Sequence, residues 1–229
     1  MALLFLVMGR GKTGSLVAEV AHEHGHGVRV LGEEENRNAS ALNAPFLAGF
    51  DVVIDFTTPE AVIPNLRACL ANGARVVVGT TGWYDRLNDM RSLAERKNAG
   101  LLYGTNFSVG VQTLLRLSRE LAVSLPEYQY SITETHHIDK KDAPSGTALS
   151  IKRTLESASP SIHAEIVSKR EGDASGTHII EARSPNDLIE LKHEAFSRRG
   201  FAEGAIRAAE WLAGKSGVWE FSEIASELG

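Results

Sequence analysis

The stretch VMGRGKTG, residues 7–14, is the most informative part of the sequence for the fold class. It follows an apolar run, Leu3 to Val7, and precedes a segment with helical spacing. In a G-x-G-x-x-G turn between a strand and a helix, the glycines allow a tight turn, close approach of a pyrophosphate and close packing of the helix. A turn whose glycines serve packing alone is the alternative. We expect the loop to bind a dinucleotide at the helix N-terminus through Gly9, Arg10, Gly11, Lys12, Thr13 and Gly14.

Short apolar runs recur through the first half of the chain, and segments with helical spacing separate most of them. Such runs are typical of strands that are buried on both faces, as in a parallel sheet between helices. Thr58-Pro59 predicts a helix start, and the stretch from Trp83 to Lys97 predicts another helix. The rhythm predicts a doubly wound α/β domain with strands at Leu3 to Val7, Val28 to Leu31, Val52 to Ile54, Val76 to Val78 and Leu101 to Tyr103.

Further candidate cofactor residues follow the predicted strands at their carboxyl ends, where folds of this class bind ligands. Glu35 or Glu34 would bond the ribose hydroxyls of NAD, with a solvated acidic turn as the alternative. Arg10, Lys12 or Arg37 would instead meet a 2′-phosphate, so the pattern permits both NADH and NADPH. The other candidates are Gly79, Thr80 and Thr81 after the fourth strand, and Gly104, Thr105, Asn106 and Phe107 after the fifth.

The composition and charge of the chain argue against several classes of partner and location. The chain has 229 residues, of which 43% are hydrophobic, and a net charge of -5. An acidic chain without a Lys/Arg run gives no electrostatic case for nucleic-acid or membrane partners. One cysteine, Cys69, permits no intrachain disulfide, and it favours a reducing, cytoplasmic compartment. The apolar start lacks the positive segment and cleavage site of a signal peptide, and no apolar run approaches the ~18 residues of a membrane span.

After Ser108 the alternation of short apolar runs with helical segments ends, and this change of pattern predicts a second domain. A helix from Val109 to about Ser124 precedes a strand with period two, Tyr128 to Glu134, and a helix follows from Gly146 to about Ser157. We expect domains at 1–107 with 200–229, and at 108–199. The later elements are predicted as antiparallel strands at Ala164 to Ser168, Thr177 to Ala182 and Leu188 to His193, and as a helix at Ala202 to Ala213.

The stretch ETHHIDKKDAPSGTA, residues 134–148, carries the chemistry. With Ser145 as N-cap, the N–H groups of Gly146, Thr147 and Ala148 would be free for an anion, and Lys140 would add a positive charge. His136 or His137 can exchange protons near neutral pH. The pattern predicts a site that binds a carboxylate and moves a proton. A polar loop that holds two histidines by chance is the alternative.

A metal site is a further alternative for this stretch. His136, His137, Asp139 and Asp142 are all possible ligands. Their spacing is unlike any standard zinc signature, so we expect no metal here.

Taken together, these motifs resemble the dihydrodipicolinate reductase family over nearly the whole chain. The most specific match is E-x-H-H-x-x-K-x-D-A-P-S-G-T-A. Others are V-V-I-D-F-T-x-P-E at 52–60, V-x-G-T-T-G at 77–82, N-F-S-V-G-V at 106–111, S-x-R-E-G at 168–172 and G-A-I-R-A-A-x-W-L-A-G-K-x-G at 204–217. The resemblance implies a Rossmann-type cofactor domain, an α+β substrate and oligomerisation domain, and a homotetramer. It also implies that NADH or NADPH reduces a cyclic dicarboxylate in lysine and diaminopimelate biosynthesis.

The resemblance also implies roles for individual residues. His136 corresponds to the acid/base residue and Lys140 to the proton donor. The substrate carboxylates would be bound by His137, Lys140, Ser145, Gly146 and Thr147. The cofactor would be held by the glycine loop, the acid near Glu35, Gly79 to Thr81 and Gly104 to Phe107.

Two departures from the family pattern stand out. The family's loop usually has the form G-x-x-G-[RK]-x-G, so the first glycine here is displaced by one position. The chain is also abbreviated between Glu35 and Asp51 and again after Gly172, in the sheet that pairs subunits in the family. A dimer is therefore an alternative to the tetramer. Two other functions stay open: another two-domain NAD(P)H-dependent oxidoreductase acting on a different anionic substrate, and a non-catalytic nucleotide sensor.

Overall fold

Two units make up the chain in the computed structural model, which describes residues 1–228. Unit 1 comprises Met1–Val109 together with the C-terminal segment from Arg199, and unit 2 comprises Gly110–Arg198.

Unit 1 is built on a six-stranded sheet in which every strand pairing is parallel. The strand order is β10-β5-β4-β3-β1-β2. The strands are β1 Leu4–Met8, β2 Gly27–Leu31, β3 Val52–Asp55, β4 Arg75–Val78, β5 Gly100–Tyr103 and β10 Gly217–Glu220. The helices are α1 Lys12–Glu23, α2 Ala44–Leu47, α3 Pro59–Ala71, α4 Leu87–Lys97, α7 Arg199–Leu212 and α8 Phe221–Ile224.

Helices cover both faces of this sheet, which explains why its strands are continuously apolar. Phe5 and Val7 pack with residues of α1 and α7, whereas Leu6 and Met8 pack with residues of α3 and α4. Alternate residues of one strand thus enter opposite cores, because side chains alternate across a pleated strand.

Unit 2 is a four-stranded mixed sheet with two helices. The strand order is β7-β6-β8-β9, with β6 Gln129–His136, β7 Glu165–Arg170, β8 Thr177–Arg183 and β9 Leu188–Glu194. The helices are α5 Val109–Ser124 and α6 Gly146–Ala158. Tyr130 and Ile132 of β6 share a core with Leu114 of α5 and with Ile151 and Leu155 of α6. Residues of β6 are alternately buried and partly exposed, as the predicted period of two requires.

The predicted fold class, a Rossmann-type parallel sheet plus an α+β unit, is confirmed, with three corrections to its elements. The strand β7 was expected to be antiparallel, but it pairs in parallel with β6 because α6 forms a crossover between them. The helix expected from Trp83 begins at Leu87, after a 3-10 turn at Tyr84–Arg86. The strand β10 was not predicted, since its four residues are too few to show a period.

Candidate functional site

The glycine loop joins β1 to α1, and its three glycines have different surroundings. Gly9 has a φ of 104°, and a Cβ there would lie 2.2 Å from the carbonyl oxygen of Phe56. A Cβ on Gly14 would lie 2.2 Å from the carbonyl oxygen of Gly9. Around Gly11, the N-cap of α1, no described residue other than its chain neighbours has an atom within 4 Å of the corresponding Cβ position. The turn therefore requires glycine at 9 and 14, and it leaves clear space at 11 in front of the helix N-terminus.

Asp55, the last residue of β3, is a fully buried carboxylate that holds the neighbouring loops in place. Its Oδ1 accepts hydrogen bonds from Thr57 N at 2.9 Å, Thr57 Oγ1 at 2.6 Å and Thr80 Oγ1 at 2.8 Å. Its Oδ2 accepts one from Asn65 Nδ2 at 3.0 Å. These donors offset the cost of burying a carboxylate, so Asp55 can fix the loops after β3 and β4.

A cavity of about 700 Å³ opens at the carboxyl ends of β1, β2 and β3. Its walls are the start of the glycine loop, the segment after β2, and the loop that leads from β3 into α3. In the strand order, β1 lies between β2 and β3, so the cavity is at the point where the direction of strand addition reverses. Open α/β sheets bind ligands at this point, and the volume suits part of a dinucleotide.

The acids after β2 divide into two groups. Glu33 and Glu34 line the cavity. The Glu35 carboxylate instead accepts hydrogen bonds from Arg10 Nη2 at 2.6 Å and from Gly32 N at 3.0 Å. The side chains of Arg10 and Glu35 are 59% and 45% exposed, and ion pairs this exposed stabilise a fold by only about 0.2–1 kcal/mol. The pair can therefore separate at small cost when a ligand arrives.

The remaining predicted cofactor residues of unit 1 differ in how much of them is accessible. Thr80 is buried and its hydroxyl is used by Asp55, whereas Thr81 and Thr105 are exposed. Gly79 lies under the Phe56 ring, where a Cβ would come within 2.1 Å. The remaining three are Gly104, which is buried, Asn106, whose side chain accepts Ser108 N–H at 2.8 Å, and Phe107, whose ring packs in the core 4.6 Å from Phe221.

In unit 2 the site is organised by the N-terminus of α6. Ser145 Oγ accepts the Ala148 N–H at 3.2 Å, which confirms the predicted helix start. The Ala148 N–H, which was expected to be free for an anion, is therefore used by the cap. The Ser145 N–H is donated to the Glu134 carboxylate, 3.1 Å from each oxygen. Apart from its chain neighbours and the backbone of its own helix, no described residue has an atom within 4 Å of the position a Cβ on Gly146 would take. A ligand carboxylate can therefore approach the backbone at the start of this helix.

Glu134 is fully buried and holds the surrounding groups together. Ser168 Oγ donates to its Oε1 at 2.6 Å, and Arg170 Nη1 lies 3.7 Å from the same oxygen. Burial by itself would raise the pKa of the Glu134 carboxyl, but hydrogen bonds from Ser145 and Ser168 outweigh burial and lower that pKa below its usual value of 4.5. Glu134 is therefore a carboxylate at neutral pH.

Two buried histidines lie beside this carboxylate. His136 Nδ1 is 3.6 Å and His178 Nε2 is 3.8 Å from Glu134 Oε2, and the two rings meet edge to face with centroids 5.2 Å apart. Burial lowers the pKa of His136, with Glu134 opposing and Lys140 adding to that effect. Burial and the neighbouring His136 lower the pKa of His178 to about 4. Both rings are therefore neutral near pH 7.

The other predicted residues of unit 2 lie in the loop before α6 or in its first turn. Lys140 Nζ contacts both oxygens of Asp142, at 2.8 and 2.9 Å, and its side chain is 22% exposed. The carbonyl oxygen of His137 accepts the Lys140 N–H at 3.2 Å, so the two residues share a turn. Thr147, in the first turn of α6, is half-buried. Arg170 fixes this loop by donating to the carbonyl oxygens of Lys140 and Asp142.

Several residues of these sites were not predicted individually. Asp55 had a signal, since it is an acid at the end of an apolar strand, and Glu134 had one as the first residue of the unusual stretch at 134–148. Ser168 and Arg170 had one in the S-x-R-E-G match at 168–172. His178 had none, because only the strand register brings it to Glu134 and His136. Glu134 pairs with Ser168 on one side and with His178 on the other.

The fold and these two sites define a protein of the Rossmann-type class with a second, mixed-sheet unit. Within residues 1–228, no helix is long and apolar enough to cross a membrane. Profiles of known families match nearly the whole chain, as "Dihydrodipicolinate reductase, N-terminus" over residues 5–107 and "Dihydrodipicolinate reductase, C-terminus" over residues 110–224. The chain therefore belongs to the dihydrodipicolinate reductase family.

Individual relatives agree with this assignment. The chain is 32% identical to 4-hydroxy-tetrahydrodipicolinate reductase of Christiangramia forsetii, covering 97% of each chain. It is 36% identical to the protein of the same name from Natronomonas pharaonis, covering 93% of this chain and 96% of that one. A solved structure of dihydrodipicolinate reductase from Paenisporosarcina sp. TG-14, with dipicolinate bound, superposes with a TM-score of 0.82 at 25% identity, covering 98% of this chain and all of that one.

Proposed function

We propose that this chain reduces 4-hydroxy-tetrahydrodipicolinate to tetrahydrodipicolinate with NADH or NADPH, a step of lysine and diaminopimelate biosynthesis. The observation that carries the proposal is the start of α6, where Glu134 holds Ser145 and the buried ring of His136 lies beside that carboxylate. A helix N-terminus binds carboxylates, and a histidine can move the proton that a reduction requires. Family membership and the dipicolinate-bound relative support a cyclic dicarboxylate as substrate.

Unit 1 fits a nicotinamide dinucleotide. A Cβ at Gly9 or Gly14 would collide with a backbone carbonyl oxygen, so glycine keeps the turn tight, and the loop has clear space at Gly11. We propose that residues 9–14 hold the pyrophosphate and that Glu33 or Glu34 bonds the ribose, because these two acids line the cavity. Residues 79–81 and 104–107 would line the rest of the cofactor site. When bound, the cofactor supplies the hydride, and the protein supplies position and charge.

The same cavity suggests that both forms of the cofactor are accepted. Glu33 and Glu34 favour a free ribose, whereas Arg10 and Arg37, which also line the cavity, favour a 2′-phosphate. Glu35 competes with a phosphate for Arg10, since the two side chains are 2.6 Å apart. We expect Glu35→Gln to release Arg10 and to lower the KM for NADPH relative to that for NADH. An unchanged KM ratio would show that Arg10 does not contact the 2′-phosphate.

In unit 2 we propose that the substrate carboxylates bind to the first N–H groups of α6 at Gly146 and Thr147, with Ser145 as the cap. Lys140 and His137 would contribute further polar contacts from the preceding loop. Asp142 holds the Lys140 ammonium in place, and Arg170 fixes the backbone of both residues. Positioning of this kind is a large source of rate enhancement because it removes the entropic cost of bringing groups together.

We propose that His136 and Lys140 transfer the proton that the reduction requires. His136 is neutral near pH 7, and the negative charge of Glu134 lies 3.6 Å from its Nδ1, so a positive charge that develops on the ring would be stabilised. Lys140 carries a proton that it can donate towards the reduced ring. These roles assign acid/base chemistry to His136 and proton donation to Lys140.

We also propose a cytoplasmic homo-oligomer that pairs through the sheet of unit 2. One face of that sheet packs on α5 and α6. The opposite face carries Val167, which is 51% exposed, and Ile179, which is partly exposed. A partly apolar sheet face of this kind is a natural surface for a second copy. Both a tetramer and a dimer are compatible with it, and light scattering would distinguish them.

The assay is oxidation of NADH or NADPH by the purified chain, with substrate generated in place by the synthase that precedes this step. Turnover that requires the synthase and its substrates would support the proposal, and the two cofactor rates would give the preference. If the chain bound a cofactor but oxidised neither in the presence of this substrate, the activity would belong to a different anionic compound, or the chain would be a nucleotide sensor.

A further inference from the structure

Glu134, His136 and His178 form a cluster of metal-ligand types inside unit 2. Glu134 and His136 are two residues apart on β6, so their side chains lie on the same face of the sheet. His178 is the partner of Glu134 on the antiparallel strand β8. The three side chains are 0%, 9% and 6% exposed. Burial of three ionisable groups together is costly, so such a cluster invites a functional explanation.

The separations in this cluster approach those of a metal site. His136 Nδ1 and His178 Nε2 are 3.6 and 3.8 Å from Glu134 Oε2, and one ligand atom from each residue can be chosen so that all three lie within 4.8 Å of one another. A tetrahedral zinc ion with bonds of about 2.0–2.1 Å places its ligand atoms roughly 3.4 Å apart. Two of the separations therefore need to shorten by only a few tenths of an ångström.

A second observation is independent of these distances. His136 Nδ1 is a buried nitrogen for which the described residues provide no hydrogen-bond partner. Buried nitrogens without a partner are uncommon in folded proteins. Its nearest acidic atom is Glu134 Oε2, so the nitrogen faces the position that an ion would take. His178 Nε2 lies 3.3 Å from Ser145 Oγ, so an ion bound at this nitrogen would replace that contact.

The positive charges around the cluster do not block this position. Arg170 lies 3.7 Å from Oε1 of Glu134, the oxygen that also accepts from Ser168. Oε2, which shares the Ser145 N–H with Oε1, is the oxygen that faces the histidines. Lys140 is neutralised by Asp142. The ligand set of two histidines and one glutamate, with a further position for water, is one that catalytic zinc sites use.

We propose that Glu134, His136 and His178 form a binding site for a divalent transition-metal ion of the Zn²⁺ class. The consequence for activity rests on the proposed function: an ion on His136 occupies the ring that would exchange the proton, so the metal-loaded enzyme is inhibited. His178 makes the site possible, because without it two protein ligands remain.

A second histidine cluster, in unit 1, provides an internal comparison. His24, His26 and Glu210 also lie within 4.8 Å of one another. His26 Nδ1, however, accepts the Leu3 N–H at 3.1 Å, so its Nε2 carries the proton and donates to Glu210 Oε1 at 2.8 Å. No lone pair is then left on Nε2 for an ion. We expect the intact chain to bind one equivalent of metal in unit 2 and none at this cluster.

The test uses Co²⁺ as the probe, because Zn²⁺ has a filled d shell and no visible absorption. Titration of the purified chain with Co²⁺ should give a visible d–d band that saturates at one equivalent and is displaced by Zn²⁺. His178→Phe should lose the band and weaken binding by more than about 100-fold, the upper end of what losing an outer-shell partner costs. His24→Gln, the matched control, should keep it. No band, or a band that survives in His178→Phe, would overturn the proposal.

Two further readouts keep the test independent of folding and of the proposed activity. In the wild-type chain, Zn²⁺ should shift the ring resonances of His136 and His178 and leave those of His24 in place, and the reverse pattern would refute the site. In the reductase assay, Zn²⁺ should lower turnover and a chelator should restore it, whereas His178→Phe should not respond to Zn²⁺. Absence of turnover without metal would count against the proposed function alone. Binding without inhibition would support the site but contradict the proton role of His136.

Discussion

The carboxylate of Glu134 accepts the backbone N–H of Ser145 with both oxygens, each 3.1 Å from the nitrogen. This contact joins the end of β6 to the N-terminus of α6 across the loop that carries Lys140. The strand that supplies His136 and the helix that would bind carboxylates are therefore held by one buried charge. The proposed proton chemistry and the proposed anion binding depend on the same anchor.

Replacing Glu134 should destabilise the fold. In Glu134→Gln the buried charge is lost, and one acceptor oxygen becomes an amide that cannot accept from Ser145 or Ser168. Hydrogen bonds to charged groups contribute about 1.5–3 kcal/mol each, so we expect the free energy of unfolding to fall by at least about 2 kcal/mol. Urea denaturation would measure this change. Asp139→Asn, an exposed acid of the same loop, should change it by less than about 0.5 kcal/mol.

The neutral state of His178 should make stability fall in acid. Its pKa is lowered from 6.5 to about 4, so the unfolded chain binds a proton at this ring over a pH range in which the folded chain does not. Stability is therefore lost as pH falls from about 6.5 towards 4, and the shift corresponds to about 3 kcal/mol at about 1.4 kcal/mol for each pKa unit.

Denaturation midpoints measured across that pH range would test this dependence. His178→Phe should flatten the pH dependence of the midpoint relative to wild type. His163→Gln, which replaces an exposed histidine of the same unit, should leave it unchanged. Equal slopes in wild type and His178→Phe would show that His178 does not remain neutral when buried.

Two glycine substitutions should separate packing from cofactor binding. Gly14→Ala places a methyl group 2.2 Å from the Gly9 carbonyl oxygen, and we expect a loss of about 1–3 kcal/mol in stability. Gly11→Ala meets no described atom within 4 Å, so the melting temperature should hardly change. Its methyl group would instead enter the proposed pyrophosphate position and raise the cofactor KM about tenfold, which is ~1.4 kcal/mol. A normal KM in Gly11→Ala would place the pyrophosphate elsewhere.

Thr147 should contribute binding and not chemistry. We expect Thr147→Val to raise the substrate KM about tenfold with little change in kcat, because a contact made equally in ground state and transition state affects binding alone. Ser157→Ala, on an exposed position near the other end of α6, is the control. A fall in kcat at unchanged KM would instead give Thr147 a role in the transition state.

Much of the fold could be predicted from the sequence because its signals are local. The glycine loop, the continuous apolar strands and the Ser145 cap each arise within a few residues, and each was found close to where it was predicted. The predicted antiparallel direction of β7 was wrong. The preceding helix had been predicted, and a strand-helix-strand connection favours parallel pairing, so the correct direction could have been inferred. β10 is an edge strand that is identified by its pairing with β5 and not by its own pattern.

The site could be predicted only in part, because some of its residues are brought together by strand pairing and not by nearness in sequence. His136, Lys140 and Ser145 belong to one continuous stretch, whereas His178 reaches the site through a register that fixes its position opposite Glu134. In sequence, His178 is the only histidine of its strand, and Ser145, which it contacts, lies more than thirty residues away. Similarly, Glu35 had the expected spacing, but its bond to Arg10 leaves Glu33 and Glu34 on the cavity wall.

The most direct test of the central claim combines turnover with ligand binding in one pair of variants. His136→Gln and Lys140→Met should each lower kcat by about 10²–10⁴, the usual contribution of a positioned acid or base. Both should still bind dipicolinate, measured by calorimetry, because the N-terminus of α6 is unchanged. Lys140→Met should bind it more weakly than His136→Gln, because Lys140 would also contact the ligand. We expect turnover to be lost while binding is retained. Wild-type kcat/KM in both variants would contradict the proposed roles and would place the proton chemistry at other residues.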